Sequence, residues 1–227
     1  NYLITNPPDL VINVVDASNL ERQLYLTAQL LEMQIPVVVA LNMMDMAKRR
    51  GIHIDIAQLS RSLHCPIISL TAIHGFGIAE LRRALLVIPQ TNSTLPYSFA
   101  PLLQGALQTL TEKLAPKNLP RPWLALRLLE EDRLARHYTS AEELSHVTVL
   151  IQQLKNQCGE EIDLLIADAR YRWIQSILKP SLVVNPQGKT FTSRLDRIVL
   201  NRYLGIPIFL LVMYTLFLFA INVGGAF

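Results

Sequence analysis

The sequence is poor in cysteine and in charged residues, and both shortages exclude classes of protein. Its 227 residues include two cysteines, Cys65 and Cys158, which have neither C-x-x-C nor Cys/His spacing. A disulfide scaffold or a zinc site is therefore not expected, and a reducing cytosolic setting fits best. Only 17% of the residues are charged and the net charge is +3, which gives no indication of a nucleic-acid partner.

The two ends of the sequence lack different features. NYLITNPPDL does not begin with Met and has neither region of a signal peptide, so we expect the sequence to be cut from something longer. At the other end, residues 204–223 carry no charge and are long enough to cross about 30 Å of hydrocarbon as a helix. The alternative is a buried core helix. Arg194, Arg197 and Arg202 precede this stretch and nothing charged follows it, so residues before about 203 are expected in the cytoplasm.

The first ninety residues alternate apolar strands with helices. The strands are DLVINVVDA, IPVVVALN and CPIISL, and they are apolar on both faces. Helices are expected in SNLERQLYLTAQLLEM, in residues 55–63 and in GIAELRRALLVI; Ser18 and Glu21 have the spacing of a capping box at the first. This alternation predicts an α/β fold with a parallel sheet covered by helices.

The pattern changes after a cluster of Pro, Asn, Thr and Ser residues, which predicts a linker. Helical periodicity follows, so an all-α helical domain is expected, with helices at 101–114, 123–134, 141–157 and 160–178. KPSLVVNPQGKTFTS reads as an irregular or short-strand connector to the membrane. The predicted order is an α/β domain, a linker, the helical domain, a juxtamembrane connector and a membrane helix, at 1–90, 91–98, 99–178, 179–202 and 203–227.

Groups that suggest a metal site have plainer interpretations. LLEEDRLARHY contains Glu130, Glu131, Asp132 and His137. Consecutive carboxylates fan around a helix instead of converging, so a solvated helix end is favoured over a metal site. Met213 is the one candidate metal ligand in the apolar stretch, and we interpret it as a lipid-facing or packing residue. No metal ligand and no catalytic residue is assigned.

Polar side chains follow the second strand directly. Asn42 and Asp45 come after VVVAL, where ligands bind in parallel sheets. A carboxylate there can accept two hydrogen bonds from the ring N1–H and the exocyclic amine of guanine, a donor pair that adenine lacks. Asn42 and Asp45 could instead cap the short helix MMDMAKRRG. After the third strand, however, Thr71 and Ala72 can offer backbone N–H groups to a base carbonyl.

Taken together, these segments resemble the bacterial ferrous iron transport protein B family. The likeness is carried by VVDASNLER, NMMD, ADARY and LDRIVLNRYLGIPIFLLVMYTLFLFAINVGGAF, and it covers nearly the whole chain. NMMD looks like the guanine-specificity motif of that family with Met in place of the usual Lys, and TAIHG is a loose match to its second guanine loop. The fold implied is the C-terminal half of a Ras-like GTPase domain. The implied GTP- or GDP-binding residues are Asn42, Met43, Met44, Asp45, Thr71, Ala72 and Ile73.

The resemblance also implies a role for most of these residues. Asp45 would bind the guanine edge, Asn42 would contact the base and brace the site, and Met43 would pack its thioether stem on the ring. Residues 71–73 would form the second guanine loop. His74 is interpreted as a solvated loop residue.

At the level of the whole protein, the resemblance implies GTP hydrolysis coupled to Fe²⁺ uptake across the bacterial inner membrane. The cofactors would be GTP or GDP with Mg²⁺. The expected partners are the guanine nucleotide, the lipid bilayer and Fe²⁺ as the transported ion, with small cytosolic regulators or further copies of the chain as additional candidates. Residues 203–227 would contain the first transmembrane helix.

The elements that handle phosphate are missing from the sequence. No G-x-x-x-x-G-K-[ST] loop and no D-x-x-G occurs in it. We therefore expect a fragment that does not hydrolyse GTP alone and that leaves an unpaired apolar edge at LVINVV, which favours aggregation. The alternative function is a membrane-tethered interaction module without a nucleotide role.

Overall fold

The computed structural model of the chain describes residues 2–89, 91, 94–115, 119–159, 161–184, 201 and 205–224. These residues belong to two compact units, Asn1–Val184 and Asn185–Phe227. The described part of the first unit contains five strands: β1 (Val11–Asp16), β2 (Val37–Asn42), β3 (Ile52–Ile54), β4 (Ile67–Ser69) and β5 (Leu182–Val184).

Three of these strands form a parallel sheet in the order β1-β2-β4. Strand β2 lies at the centre, and all five of its apolar residues are buried, which accounts for its uninterrupted apolar run. The parallel sheet and the strand–helix alternation expected from the sequence are confirmed. Strands β3 and β5 form a separate antiparallel pair between residues about 130 positions apart, with His53 opposite Val183. Only β5 was anticipated, as part of a short-strand connector.

Five helices accompany the sheet in sequence: α1 (Tyr2–Thr5), α2 (Leu20–Glu32), α3 (Met44–Arg49), α4 (Ile56–Leu63) and α5 (Ile78–Ala84). The capping box expected at Ser18 and Glu21 is wrong. The carboxylate of Asp16 accepts a hydrogen bond from the Ser18 N–H at 2.8 Å and starts a 3₁₀ turn, Ala17–Asn19, which delays α2 to Leu20. Glu21 instead accepts a hydrogen bond from Gln175 at 3.0 Å.

Five further helices follow: α6 (Pro101–Lys113), α7 (Arg121–Leu129), α8 (Arg133–His137), α9 (Ala141–Cys158) and α10 (Ile162–Ser181). The single helix expected at 123–134 is wrong. Glu131 adopts a left-handed backbone with φ of 56°, and the Asp132 carboxylate caps α8 by accepting from the Leu134 N–H at 2.8 Å. Helix α10 ends three residues later than expected and includes Pro180 in its last turn.

Two hydrophobic cores stabilise this unit. The first, the sheet core, packs β1, β2 and β4 against α2, α4 and the C-terminal half of α10. The second, the helical core, is built from α6, α7, α9 and the N-terminal half of α10, and it includes the buried Trp123 as expected. Helix α10 therefore contributes to both cores. Strand β1 is an edge strand and leaves Ile12 and Val14 exposed, Val14 to 61%; the aggregation expected from this edge stays a prediction.

The second unit contains α11 (Gly205–Gly224), the counterpart of the uncharged stretch. The segment Gly205–Asn222 has a mean hydropathy of 2.1 and is long enough to cross a membrane. None of it is buried in the described structure, which favours a membrane helix over a buried core helix; the span stays a prediction. Arg194, Arg197 and Arg202, with most of the expected connector, lie outside the described residues.

Candidate guanine-binding site

The first loop of the candidate site lies where β2 ends. Asn42 is the last residue of β2, and α3 begins two residues later at Met44. Met43 makes this sharp change of direction with a left-handed backbone, φ 60° and ψ 34°, which is uncommon for a residue other than glycine and carries strain. Asp45 then lies in the first turn of α3, where the positive end of the helix dipole favours a carboxylate.

The second loop lies where β4 ends, at the same edge of the sheet. The Thr71 N–H donates to the Phe76 carbonyl at 3.1 Å, which closes residues 71–76 into a compact turn. The closure depends on Gly77, which has φ of 82°. A Cβ atom at this position would lie 2.1 Å from the Ser69 carbonyl oxygen, so no other residue fits without a shift of the backbone.

A side-chain hydrogen bond joins the two loops. The Oδ1 atom of Asn42 accepts from the Ala72 N–H at 3.1 Å, across 30 positions of sequence. The Met44 N–H also donates to the Leu70 carbonyl at 3.3 Å, and the Leu70 N–H donates to Leu41 at 2.7 Å. The structure thus brings together the two segments in which the sequence predicted site residues.

The geometry changes two of the expected roles. The N–H groups of Thr71 and Ala72, expected to be free for a base carbonyl, already donate to Phe76 and to Asn42. The Met44 side chain packs against the sheet core, so only its backbone belongs to the loop. The sequence pattern identified these positions but could not show which of their atoms are engaged.

The capping alternative for Asn42 and Asp45 is wrong. The N-cap residue of α3 is Met43, and no side chain caps this helix. Asp45 is half-buried, and its carboxylate has no hydrogen bond or ion pair within the described residues. The side-chain oxygen of Asn42 accepts a hydrogen bond from the second loop, so both N–H donors of its amide stay available for another acceptor. The site therefore presents one carboxylate acceptor and one amide donor.

Apolar side chains surround these polar groups. Met43 is about half exposed and Ile73 is 84% exposed, so neither is used by the core. Exposed thioether and aliphatic groups beside unpaired polar atoms are what a flat, aromatic base would cover. His74 is exposed and its ring lies edge-on to Phe76, as suits a solvated loop residue.

The sequence reasoning missed a polar cluster next to the first loop. Asp16 pairs with Asn42 across β1 and β2, and the Arg50 guanidinium donates to the Ser18 hydroxyl at 3.2 Å and carbonyl at 3.4 Å. Burial alone would raise the pKa of Asp16, but hydrogen bonds from Ser18 and Asn19 and the charge of Arg50 lower it. The signal was available in VVDAS, where an acid follows an apolar strand.

Of the group predicted as a solvated helix end, Glu131 and His137 are exposed as expected, but Glu130 is not. The Glu130 carboxylate is mostly buried and accepts hydrogen bonds from Arg127 at 2.9 Å and from Arg170 at 2.6 Å. Within the described ranges, no group of three or more His, Cys, Asp or Glu side chains is placed to hold a metal ion.

Comparisons with known proteins give a consistent result. Residues 1–85 match the family described as ferrous iron transport protein B, and residues 99–183 match its cytosolic helical domain. The Fe(2+) transporter FeoB of Escherichia coli strain K12 is 45% identical over the whole chain, which spans 29% of that protein.

Solved structures agree with the sequence matches. The cytosolic domain of L. pneumophila FeoB is 36% identical, with a TM-score of 0.68 over 81% of this chain and 71% of that one. A GDP-bound mutant of the S. thermophilus protein is 28% identical, with a TM-score of 0.72 over 79% of this chain and 72% of that one.

Proposed function

The chain belongs to the ferrous iron transport protein B family, and we propose that it recognises the guanine base for a GTP-dependent Fe²⁺ transporter. In this proposal residues 1–90 belong to the nucleotide-binding domain, 99–178 form the helical domain and 203–227 include the first transmembrane helix. The crystal structure of the S. thermophilus FeoB mutant contains GDP, which supports a guanine nucleotide as the ligand. The E. coli relative is a Fe(2+) transporter, which supports iron as cargo.

The observation that carries the proposal is the hydrogen bond from the Ala72 N–H to Asn42 Oδ1. It positions the two loops so that the Asn42 amide can donate to the base. The Asp45 carboxylate can accept from guanine N1–H and the exocyclic amine. Adenine has no such donor pair and would leave Asp45 unpaired, which a site of this kind rejects by a factor on the order of 10⁴.

The apolar groups would complete the base site. Met43 is held half exposed by its left-handed backbone, so its thioether can lie along one face of the ring. Ile73 can contribute an aliphatic contact from the second loop. Because Thr71 and Ala72 have used their N–H groups, we assign their role in the proposal to shaping the loop.

The membrane assignment uses α11. Its surface is uncharged and none of it is buried in the described structure, which suits lipid, and we propose that it crosses the bacterial inner membrane with residues before about 203 in the cytoplasm. A lone apolar helix offers no pathway for an ion, so the transport step is proposed only for the protein as a whole.

The proposal can be tested in a chimera. The region of the E. coli transporter that matches this chain would be replaced by the chain, and uptake of radioactive Fe²⁺ would be measured in cells that lack their own ferrous transporter. We expect uptake with the unaltered chain. Asp45→Asn should lower the preference of the purified chimera for GDP over ADP by about 100-fold or more, since an amide cannot accept both guanine donors.

The control variant is Asp55→Asn, which alters a helix cap outside the two loops. It should leave the preference for GDP unchanged. Unchanged selectivity in Asp45→Asn would contradict the base-recognition role. Uptake that needs the chain but does not depend on nucleotide would favour the alternative of a membrane-tethered interaction module.

A further inference from the structure

A buried arginine lies at the midpoint of α10. The Arg170 side chain is 1% exposed and is the largest fully buried side chain of the described residues. Towards the N-terminus of α10, Ile162 and Ile166 belong to the helical core; towards its C-terminus, Ile174 and Ile177 belong to the sheet core. Arg170 therefore lies at the seam between the two cores.

On one side of the seam Arg170 holds α2. Its Nε and Nη2 atoms donate to the two carboxylate oxygens of Glu32 at 2.6 and 3.0 Å, a bidentate pair. Its Nη1 atom donates to the Tyr25 hydroxyl at 3.1 Å, and the guanidinium lies 5.5 Å from the centre of that ring. Glu32 is the last residue of α2 and precedes β2, the strand that carries Asn42, by five positions.

On the other side Arg170 holds the end of α7. Its Nη1 atom donates to Glu130 at 2.6 Å, and Glu130 also accepts from Arg127 at 2.9 Å. Arg127 in turn lies 3.8 Å from the Glu32 carboxylate. The charges of two arginines and two glutamates balance, which is the condition under which ions can be buried stably.

The connection between the two halves is part of the same cluster. Tyr97 lies in the segment predicted to be a linker, and its hydroxyl donates to Glu32 and accepts from Arg170 Nε at 3.0 Å. Burial and the Glu32 charge raise the pKa of Tyr97, so this hydroxyl keeps its proton. Its ring also packs against Trp173 of α10, with the centroids 5.6 Å apart.

We propose that Arg170 couples the two halves of this unit, by locking α2, α7 and the connection at Tyr97 onto α10. The strand–helix segment that carries the guanine loops and the helical domain would then move and unfold as one body. The coupling goes beyond base recognition and needs no nucleotide, so it stands or falls independently of the proposed function. It also turns α10 into the element through which either half can act on the other.

The test is hydrogen–deuterium exchange of the full chain in detergent, read by mass spectrometry. Arg170→Met removes the guanidinium and leaves Glu32 and Glu130 with one cation between them. We expect amides of α2 and of residues 94–99 to exchange at least tenfold faster, while α6 and α9 in the helical core change much less. Thermal unfolding should separate into two transitions, because the cores would no longer open together.

Arg172→Met is the matched control, since that arginine lies on the same helix, is 78% exposed and pairs only with Asp168 in the described structure. It should leave the exchange of α2 unchanged. Equal effects of the two variants, or a uniform increase of exchange across both cores in Arg170→Met alone, would overturn the proposal.

Milder variants keep the test available if Arg170→Met does not fold. Tyr97→Phe removes one hydroxyl and should accelerate exchange at residues 94–99 and in α2 to a smaller degree. A double-mutant cycle of Glu32→Gln with Arg170→Met should be non-additive, because the double variant restores the charge balance. Additive shifts in the unfolding temperature, or no effect of Tyr97→Phe on α2, would contradict the coupling.

Discussion

At the scale of single residues, the second loop of the candidate site depends on one glycine. Gly77 and Gly75 both have a left-handed backbone, with φ of 82° and 71°, but only Gly77 has a backbone oxygen where a Cβ atom would lie. Alanine at either position carries the cost of the left-handed conformation, about 1–2 kcal/mol. The added contact with the Ser69 carbonyl separates the two positions.

Gly77→Ala should therefore lower the free energy of unfolding by about 2 kcal/mol more than Gly75→Ala. The measurement is denaturant unfolding of the two variants. Hydrogen exchange at residues 71–77 would report the effect within the loop itself. The Gly75 variant is the control, because nothing lies within 4 Å of its added Cβ. Equal destabilisation by the two alanines would show that the loop can shift to accept the methyl group.

A pH dependence also belongs to this scale. The lowered pKa of Asp16 means that its carboxylate stabilises the fold above the ordinary value of about 4, and that this contribution is lost as the pH falls through the lower folded value. Asp16→Asn keeps an oxygen that can accept from the Ser18 N–H but removes the charge. The variant should be less stable than the original at pH 7, and the difference should vanish in strong acid.

Urea unfolding at pH 7 and near pH 2.5 would measure this difference. Asp9→Asn, at an exposed carboxylate before β1, controls for the loss of one negative charge. A difference between Asp16→Asn and the original chain that stays the same at both pH values would contradict the electrostatic explanation.

At the scale of elements, two segments with the same S-x-x-E spacing behave differently. At Ser140 and Glu143 the capping box forms: the Glu143 N–H donates to the Ser140 hydroxyl at 3.3 Å, and the Ser140 N–H donates to Glu143 at 2.8 Å. At Ser18 it does not form, because Asp16 already accepts from the Ser18 N–H. A competing acceptor two residues upstream decides between the outcomes.

Ser140→Ala removes a helix cap and should consequently lower the free energy of unfolding by about 1 kcal/mol. Ser18→Ala removes no helix cap, so a loss of this origin is not expected there. Ser145→Ala on the same helix is the better matched control, since its hydroxyl only donates back to the Glu142 carbonyl. The check is thermal or denaturant unfolding of the three variants. A loss in Ser145→Ala as large as in Ser140→Ala would mean that helix propensity, not the cap, is responsible.

The elements also show which features local sequence patterns can predict. The parallel strands and most helices follow from apolar periodicity, and N-x-x-D after a buried strand located Asn42 and Asp45. The break between α7 and α8 depends on the backbone of Glu131, and the pairing of β3 with β5 joins residues about 130 positions apart. Neither the break nor the pairing produces a periodic pattern in the sequence. The hydrogen bond from the Ala72 N–H to Asn42 also depends on tertiary packing, so local patterns do not predict it.

At the scale of the whole molecule, charged side chains are buried at the seam between the sheet core and the helical core, unlike those at the surface. Glu32 and Arg170 lie in segments that the sequence predicts only as helices, yet the Glu32 side chain is fully buried. A charged residue on a helix is usually solvated. Only the three-dimensional structure reveals that Arg170 has partners in α2, at the end of α7 and in the connection at Tyr97. The two halves that composition separates are joined by these polar contacts as well as by α10.

The proposed membrane helix, α11, is the subject of the last prediction. A charge at the centre of a transmembrane segment costs about 2.5–3.5 kcal/mol of insertion free energy, and the cost falls towards the ends of the segment. Val212→Arg places a charge near the middle of α11, whereas Gly205→Arg places one at its first residue. We expect the unaltered chain and Gly205→Arg to stay with bacterial membranes during alkaline carbonate extraction, and a large fraction of Val212→Arg to be released.

The two arginine variants carry the same added charge, so their comparison separates position from charge. A helix that merely adheres to the membrane surface through apolar contacts would release both variants, and even the unaltered chain, under alkaline extraction. If α11 instead docked onto a protein partner, its release would depend on contacts with that partner and not on the depth of the added charge in the bilayer. Retention of Val212→Arg together with Gly205→Arg would therefore contradict a transmembrane α11, because the central charge would then have cost nothing.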